Sequence, residues 1–362
     1  MRKRKQMSLD ELRKNIDRCD ADIVRLLNER TEHVLEIGRL KEQTGDGVYV
    51  PSREKAVLER ATNLNDGPLP DTAIGAIYRE IMSASLALEH PIKIAYLGPQ
   101  ATFTHQAARE KFGASVAYVE AQTIRDVFKM IENNQADYGV VPIENSTEGA
   151  VTHTLDEFTS TTVKICAEVY LDISHNLMAN CAQADITKIY SNPQVFGQCR
   201  NWLHDNMPSV DLIPVSSTAR AAEMASKEPR AGAMASALAA ELYGLQLLHA
   251  DVQDISGNET RFLVIAKYCG ESTGNDKTSL LFTVNHKAGA LHGALNAFSS
   301  NGINMCKIES RPSKGKAWEY MFFVDIEGHT GDENVAAALE ELQKHCSTLT
   351  VMGSYPNGSA ED

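Results

Sequence analysis

From Ser8 to Ile37 the chain runs without a proline or a glycine. Through that run Leu12, Ile16, Cys19, Ile23, Leu26, Leu27, Val34 and Ile37 recur at three- and four-residue steps, the spacing of one face of an α-helix. Ser8-Leu-Asp-Glu11 opens it as a capping box. The spacing predicts one helix over 9–42, about 50 Å long at 1.5 Å per residue. A rod of that length cannot bury its own stripe and must lie along partners. Gly45-Asp-Gly47 breaks it, and Pro51-Ser52 starts a second helix to about residue 64. Asn65-Asp-Gly-Pro-Leu-Pro70 ends the second, and Asp71 opens a third that reaches Glu89 before Pro91. Residues 1–91 are therefore expected to form a small all-helical domain.

The remaining length requires at least one more domain. The chain has 362 residues, and domains hold about 100–200 each. No apolar run approaches the roughly 18 residues of a membrane span. The basic start Met1-Arg-Lys-Arg-Lys-Gln has no apolar stretch after it, so it does not read as a secretory signal. Net charge is −13, of which residues 92–362 carry −12. That balance argues against nucleic-acid binding. Seven scattered cysteines with no CxxC pair fit reduced thiols in a cytoplasmic protein and exclude a cysteine zinc site. The histidines form no HExxH, so no metal is expected. His105, His153 and His175 read as surface or cleft residues.

Residues 92–270 alternate short apolar runs with helical patterns, which predicts an α/β domain with parallel sheet layers. One helix is expected over 195–205. Polar residues follow the predicted strand ends at Thr102–Thr104, Glu144–Ser146, Asn192–Gln194 and Ser216–Thr218, where such folds place ligands. No GxGxxG or Walker A sequence occurs, so no nucleotide cofactor is expected. A small anionic ligand held by helix N-termini and hydroxyls fits instead. Residues 277–355 read β-α-β-β-α-β, the ferredoxin-like order.

On the long helix, Arg30 and Lys41 lie about 20° apart in azimuth and about 16 Å apart in rise. Arg13 lies about 25 Å from Arg30 and about 100° round the helix. One small ligand cannot touch both arginines of one rod. Arg13 is then either an ordinary surface residue or part of a site completed by another subunit.

Residues 8–90 resemble the helical chorismate mutase family, in which three helices intertwine in a dimer. The resemblance rests on Leu-Arg13-Lys-Asn-Ile, Asn-Glu-Arg30, Gly-Arg-Leu-Lys41, Ser-Arg53-Glu54 and Glu89. It implies that Arg13 crosses to the partner's site and that Arg30, Lys41, Arg53, Glu54 and Glu89 complete the catalytic set. A family aspartate is replaced by Val50. The reaction is pericyclic and needs no nucleophile: arginine forks fix a dicarboxylate in a compact conformer. Lys41 and residue 89 would stabilise charge on the breaking ether oxygen, and only the acid form of Glu89 can donate to it.

Residues 92–268 resemble prephenate dehydratase. The motifs are Tyr96-Leu-Gly-Pro with Thr102-Phe-Thr104, Val141-Pro-Ile-Glu144-Asn145-Ser146-Thr-Glu-Gly149, Ser217-Thr218-Ala-Arg220, and Asn258-Glu-Thr260-Arg261-Phe262. The resemblance implies a two-lobed fold, like that of periplasmic binding proteins, with the site between the lobes and Thr260 as the catalytic residue. Substrate contacts are expected from Thr102, Thr104, Glu144, Asn145, Ser146, Ser217 and Thr218. Arg261 is either a carboxylate binder or a structural salt bridge. The family's usual histidine is Asn192 here. Gly289-Ala290-Leu291 and Glu309-Ser310-Arg311-Pro312 resemble the phenylalanine-sensing ACT domain, and imply an amino-acid site lined by those residues. The alternative to sensing is plain dimerisation.

Together these resemblances point to the bifunctional chorismate mutase–prephenate dehydratase family. They imply chorismate and prephenate as substrates, L-phenylalanine as effector, a homodimer or larger homo-oligomer, and no cofactor. The alternatives are an amino-acid-binding regulatory protein and a dehydratase with an impaired mutase domain.

Overall fold

The computed structural model describes residues 8–44, 51–89, 91–268, 270–284, 287–312 and 320–358, with the backbone alone at 41–44 and 52. Helix α1 (Leu9–Thr44) runs for 36 residues. Its capping box is complete: Glu11 N–H donates to Ser8 Oγ at 3.2 Å, and Ser8 N–H to the Glu11 carboxylate at 2.8 Å. Helices α2 (Pro51–Asn63) and α3 (Asp71–Glu89) follow. α1 meets α3 through Arg30 and through Gly38, where a Cβ would come within 2.5 Å of Glu89 Cγ. Towards its N-terminus the apolar stripe is bare: Leu12, Ile16, Ile23 and Leu26 are all about half exposed.

The first lobe of the middle domain contains β1 (Lys93–Leu97), α4 (Phe103–Phe112), β2 (Ala117–Ala121), α5 (Ile124–Glu132), β3 (Tyr138–Asn145), β4 (Gly149–Ala150), α6 (Thr152–Glu157), β5 (Lys164–Asp172) and, returning later, β11 (Glu259–Ala266). Its open sheet has the order β2-β1-β3-β11-β5. The second lobe contains β6 (Asn176–Ala179), β7 (Lys188–Ser191), α7 (Pro193–Gln198), α8 (Arg200–Asn206), β8 (Asp211–Pro214), α9 (Thr218–Lys227), β9 (Ala231–Ala235), α10 (Ala237–Tyr243) and β10 (Gln246–His249), with sheet order β10-β6-β9-β7-β8.

Two expectations are corrected here. The sheets are mixed rather than parallel. The βαβ strands β1, β2 and β3 pair in parallel, as do β7, β8 and β9. The strands next to the lobe crossings, β5, β6, β10 and β11, pair antiparallel, because the chain enters or leaves each lobe through them. The helix expected over 195–205 is two helices. Asp254 accepts the N–H groups of Asn201 and Trp202 at 2.9 and 3.1 Å, capping a new helix start.

The last domain contains β12 (Asp276–Val284), α11 (Ala290–Ser300), β13 (Met305–Pro312), β14 (Tyr320–Glu327), α12 (Glu333–His345) and β15 (Cys346–Pro356). Its antiparallel sheet has the order β13-β14-β12-β15. Phe282, Val324, Val335 and Leu342 lie in its own core. Leu281, Phe323, Met352 and Tyr355 share one core with Val141, Ile143, Ile165 and Leu263 of the first lobe. Gly353 admits the Ile165 backbone, which a Cβ would strike. The ferredoxin-like sheet is thus fused to the back of the lobe that carries β3 and β11.

Candidate active sites

The cleft between the lobes encloses about 360 Å³, within the range of small-molecule sites. Thr102, Phe103 and Thr104 line it from the start of α4, Asn145 and Glu148 from the end of β3, and Asn192, Gln194, Ser217 and Thr218 from the second lobe. Asn258, Thr260 and Phe262 complete it from the β11 side. Thr102 caps α4 and Ser217 caps α9, each by accepting an N–H three residues on, at 3.3 and 3.1 Å. Both helix N-termini therefore open at the cleft. Among the described lining residues none is Lys or Arg. An anion here meets helix dipoles, N–H groups and hydroxyls rather than cationic side chains.

Thr260 is held in a defined orientation. Asn145 Nδ2 donates to Thr260 Oγ1 at 2.8 Å and to Asn258 Oδ1 at 2.7 Å. The Asn145 amide cannot be reversed, because its oxygen accepts from Thr147 N–H, Thr147 Oγ1 and Glu148 N–H at 2.6–3.0 Å. Since the Thr260 oxygen is an acceptor for Asn145, its own proton is directed to another partner. That is the requirement for donation to a leaving oxygen.

His175 lines the same cleft and is buried. Its Nε2 pairs with Gln198 Oε1 at 2.7 Å, and its Nδ1 has no partner among the described residues. Burial lowers its pKa and favours the neutral ring; with the Gln198 oxygen accepting at Nε2, Nδ1 is left as a buried acceptor. His105 is also buried, with Nδ1 accepting from Ala101 N–H at 3.1 Å. Burial, assisted by the Arg109 charge, lowers its pKa to about 4. Neither role was readable from scattered histidines. Asn258 sits inside a quoted motif but was not expected at the site.

The expected substrate contacts Glu144 and Ser146 do not line the cleft, and Arg261 takes the salt-bridge alternative. Residues alternate along a strand, so Arg261 faces away from Thr260. Its guanidinium is bonded to Glu168 at 2.7 Å, Asp325 at 2.6 Å and the Tyr355 hydroxyl at 2.9 Å. Glu144 likewise faces the ferredoxin-like domain and pairs with Lys307 at 2.5 Å. Ser146 is exposed and accepts Glu259 N–H at 3.0 Å, stapling the start of β11 to β3.

In the helical domain, Arg30 donates to Ser85 Oγ at 2.8 Å. Ser85 was not anticipated; it lies one helical turn before Glu89, on the same face. Glu89 Oε1 is buried without a partner among the described residues. Arg13 and Arg53 are exposed. Glu54 pairs with Lys111 on α4 of the middle domain at 2.7 Å. Lys41 stands on α1 with its side chain outside the described residues, and Val50 lies outside them altogether.

In the ferredoxin-like domain, Gly289 adopts φ +81° before α11, Ala290 is buried, and Leu291 packs on that domain's core. Glu309, Ser310, Arg311 and Pro312 run along β13, an outer strand of the sheet. Arg311 reaches the middle domain, donating to Asp156 at 2.6 Å and to the Thr152 carbonyl. No helix of the described residues is long and apolar enough to cross a membrane.

The architecture defines a class: a helical domain and a two-lobed α/β domain with a cleft between its lobes, fused to a ferredoxin-like sheet. Family models match in that order: chorismate mutase type II over residues 12–90, prephenate dehydratase over 94–269 and the ACT domain over 278–343. A bifunctional chorismate mutase/prephenate dehydratase of Aquifex aeolicus is 50% identical over 359 residues, 98% of this chain and 99% of that one. The enzyme of the same description from Neisseria gonorrhoeae is 46% identical, over 96% and 98% of the two chains. The structure of prephenate dehydratase from Arthrobacter aurescens in complex with L-Phe superposes with a TM-score of 0.69 at 33% identity, covering 75% of this chain and 91% of that one. The chain belongs to the bifunctional chorismate mutase/prephenate dehydratase family.

Proposed function

We propose that the helical domain rearranges chorismate to prephenate and that the cleft converts prephenate to phenylpyruvate, with Thr260 donating to the departing ring hydroxyl. The observation that carries this reading is the Asn145–Thr260 hydrogen bond, which leaves the threonine proton free for the cleft. In the dehydratase step the C–CO2 bond breaks and its electrons enter the ring. The ring C–O bond breaks, and the oxygen leaves as water once protonated. Aromatisation drives the step. The protein has to hold two carboxylates and stabilise the leaving oxygen, which oriented donors do. The helix N-termini behind Thr102 and Ser217, with Thr104 and Thr218, are suited to the carboxylates.

In the mutase site Arg30, steadied by Ser85, binds a carboxylate, and the buried Glu89 oxygen faces the ether oxygen. Arg53, Glu54 and Lys41 are assigned to the same site by their motifs. The bare stripe on α1 is covered by a second copy of the chain, which brings Arg13 to the partner's site. L-phenylalanine acts through the ACT domain at Gly289–Leu291 and Glu309–Pro312; the related Arthrobacter aurescens structure holds L-Phe. No disulfide joins the six described cysteines, which supports a reducing cytoplasmic setting.

The test supplies chorismate and follows prephenate and phenylpyruvate, with and without L-phenylalanine. Both products should form, and the effector should lower phenylpyruvate. Phenylpyruvate from prephenate but not from chorismate would show a dehydratase with an impaired mutase. Binding of L-phenylalanine with neither product would show a regulatory protein.

A further inference from the structure

The two strands that carry the cleft pair are gripped from behind by another domain. Thr260 lies opposite Asn145, and the next pair along, Arg261 and Glu144, lies on the other face of the sheet. Both members of that rear pair are held by the ferredoxin-like domain. Lys307 binds Glu144, while Asp325 and Tyr355 bind Arg261. The Arg261 end is buried and closed. Glu168 takes Arg261 on one oxygen and Lys277 on the other. Ser279 donates to Asp325 at 2.5 Å and pairs with Tyr355 at 2.6 Å. Two cations and two carboxylates balance, so each depends on the others for its neutralisation. Burial keeps the Tyr355 phenol protonated.

We propose that Arg261 and Glu144 are positioning residues for the dehydratase reaction, through which Lys307, Asp325 and Tyr355 of the ferredoxin-like domain set the geometry of the Asn145–Thr260 pair. The inference rests on the reading of Thr260 as the catalytic donor. Backbone neighbours in a paired strand move together, so a shift of the gripped rear pair is a shift of the cleft pair. Small misplacement of a catalytic group is expensive in rate. A ligand that moves the ferredoxin-like sheet acts on the hydroxyl without entering the cleft.

The test uses the full chain with Lys307→Met, Lys307→Arg and Asp325→Asn, none of which touches the cleft. Steady-state kinetics on prephenate should show kcat reduced roughly ten- to a hundredfold for Lys307→Met and Asp325→Asn, with KM near that of the wild type. Lys307→Arg should recover most of the rate. Mutase activity of the same preparations should be unchanged. Lower melting temperatures with normal dehydratase kcat would overturn the proposal and leave these pairs as fastenings only. Should Asp325→Asn fail to fold, Lys307→Met and Lys307→Arg, at a partly exposed pair, decide alone. Thr260→Val separates the two readings. If it keeps a normal kcat, the catalytic assignment fails first. If it loses rate while Lys307→Met does not, only this proposal fails.

Discussion

The helical domain and the cleft domain solve the same recognition problem, a small dicarboxylate, in opposite ways. In the cleft, donors come from five or more segments of one chain that converge on about 360 Å³. The helix ends supply positive potential without cationic side chains. In the helical domain, charged groups are strung along rods, and Leu12, Ile16, Ile23 and Leu26 remain bare. A rod can present groups only at fixed rise and azimuth, so on the proposed reading it completes its site with a rod from a second copy of the chain. A two-lobed α/β unit completes one by folding back on itself. On the proposed reading the first device ties activity to assembly, and the second ties it to lobe geometry.

The sharpest way to break this contrast is to test for shared sites. Arg30→Ala should lower mutase activity by about 10³, the upper scale for a lost electrostatic donor, and leave dehydratase activity intact. Mixing Arg30→Ala with Arg13→Ala chains, with subunit exchange verified, should restore roughly a quarter of wild-type mutase activity. Half the dimers are then mixed, and each carries one intact site. Activity no higher than that of the separate variants would place both arginines in one chain's site. A smaller effect is expected inside the cleft. Asn145→Ala removes the donor that turns the Thr260 hydroxyl, and should lower dehydratase kcat roughly tenfold with mutase unaffected.

The junction between the domains provides a finer test. Lys111 belongs to the cleft domain but binds Glu54 of the mutase set at 2.7 Å. Lys111→Ala should raise mutase KM by a few-fold, the scale of roughly 1 kcal/mol for a partly exposed pair. Dehydratase kinetics should not move. Equal changes in both activities would point instead to a damaged first lobe.

The smallest effect concerns pH and stability. His105 has its pKa lowered to about 4 from an ordinary 6.5. As pH falls, the unfolded chain takes up this proton before the folded one. The contribution of neutral His105 is therefore complete above about pH 6.5 and drains away between there and pH 4. From pH 7 to 5 the loss should be about 1–2 kcal/mol of first-lobe stability. His105→Gln keeps an acceptor for Ala101 N–H and should flatten that slope in urea titrations. An unchanged slope would remove His105 as the cause.

The three-domain order was legible because periodicity and turn chemistry are local. The capping box at Ser8 and the β-α-β-β-α-β tail each needed only neighbouring residues; the break expected at Gly45–Gly47 lies outside the described residues. The hydroxyls at strand ends were legible for the same reason, and Thr102, Ser217 and Thr218 do line the cleft; Thr260 was legible only through the family resemblance. The direction of Glu144 was not legible, and that of Arg261 stayed open between a carboxylate binder and a salt bridge, although both stand beside residues that line the cleft. Their direction depends on strand parity and on what covers the back of the sheet, and that cover comes from residues 307, 325 and 355. Ser85 and Lys111 were missed because their partners lie at least 55 residues away. The mixed sheets follow from the two lobe crossings, which no local pattern encodes.

On the proposed mechanism one chain carries two separate sites, and the Thr260 hydroxyl serves only the second. Chorismate given to Thr260→Val at neutral pH tests it directly, because both steps are read in one vessel. Thr260→Val keeps the β-branched shape and removes only the hydroxyl. Prephenate should accumulate at the wild-type mutase rate, while phenylpyruvate formation falls by about 10²–10³. Phenylpyruvate appearing at a near-normal rate would contradict the account.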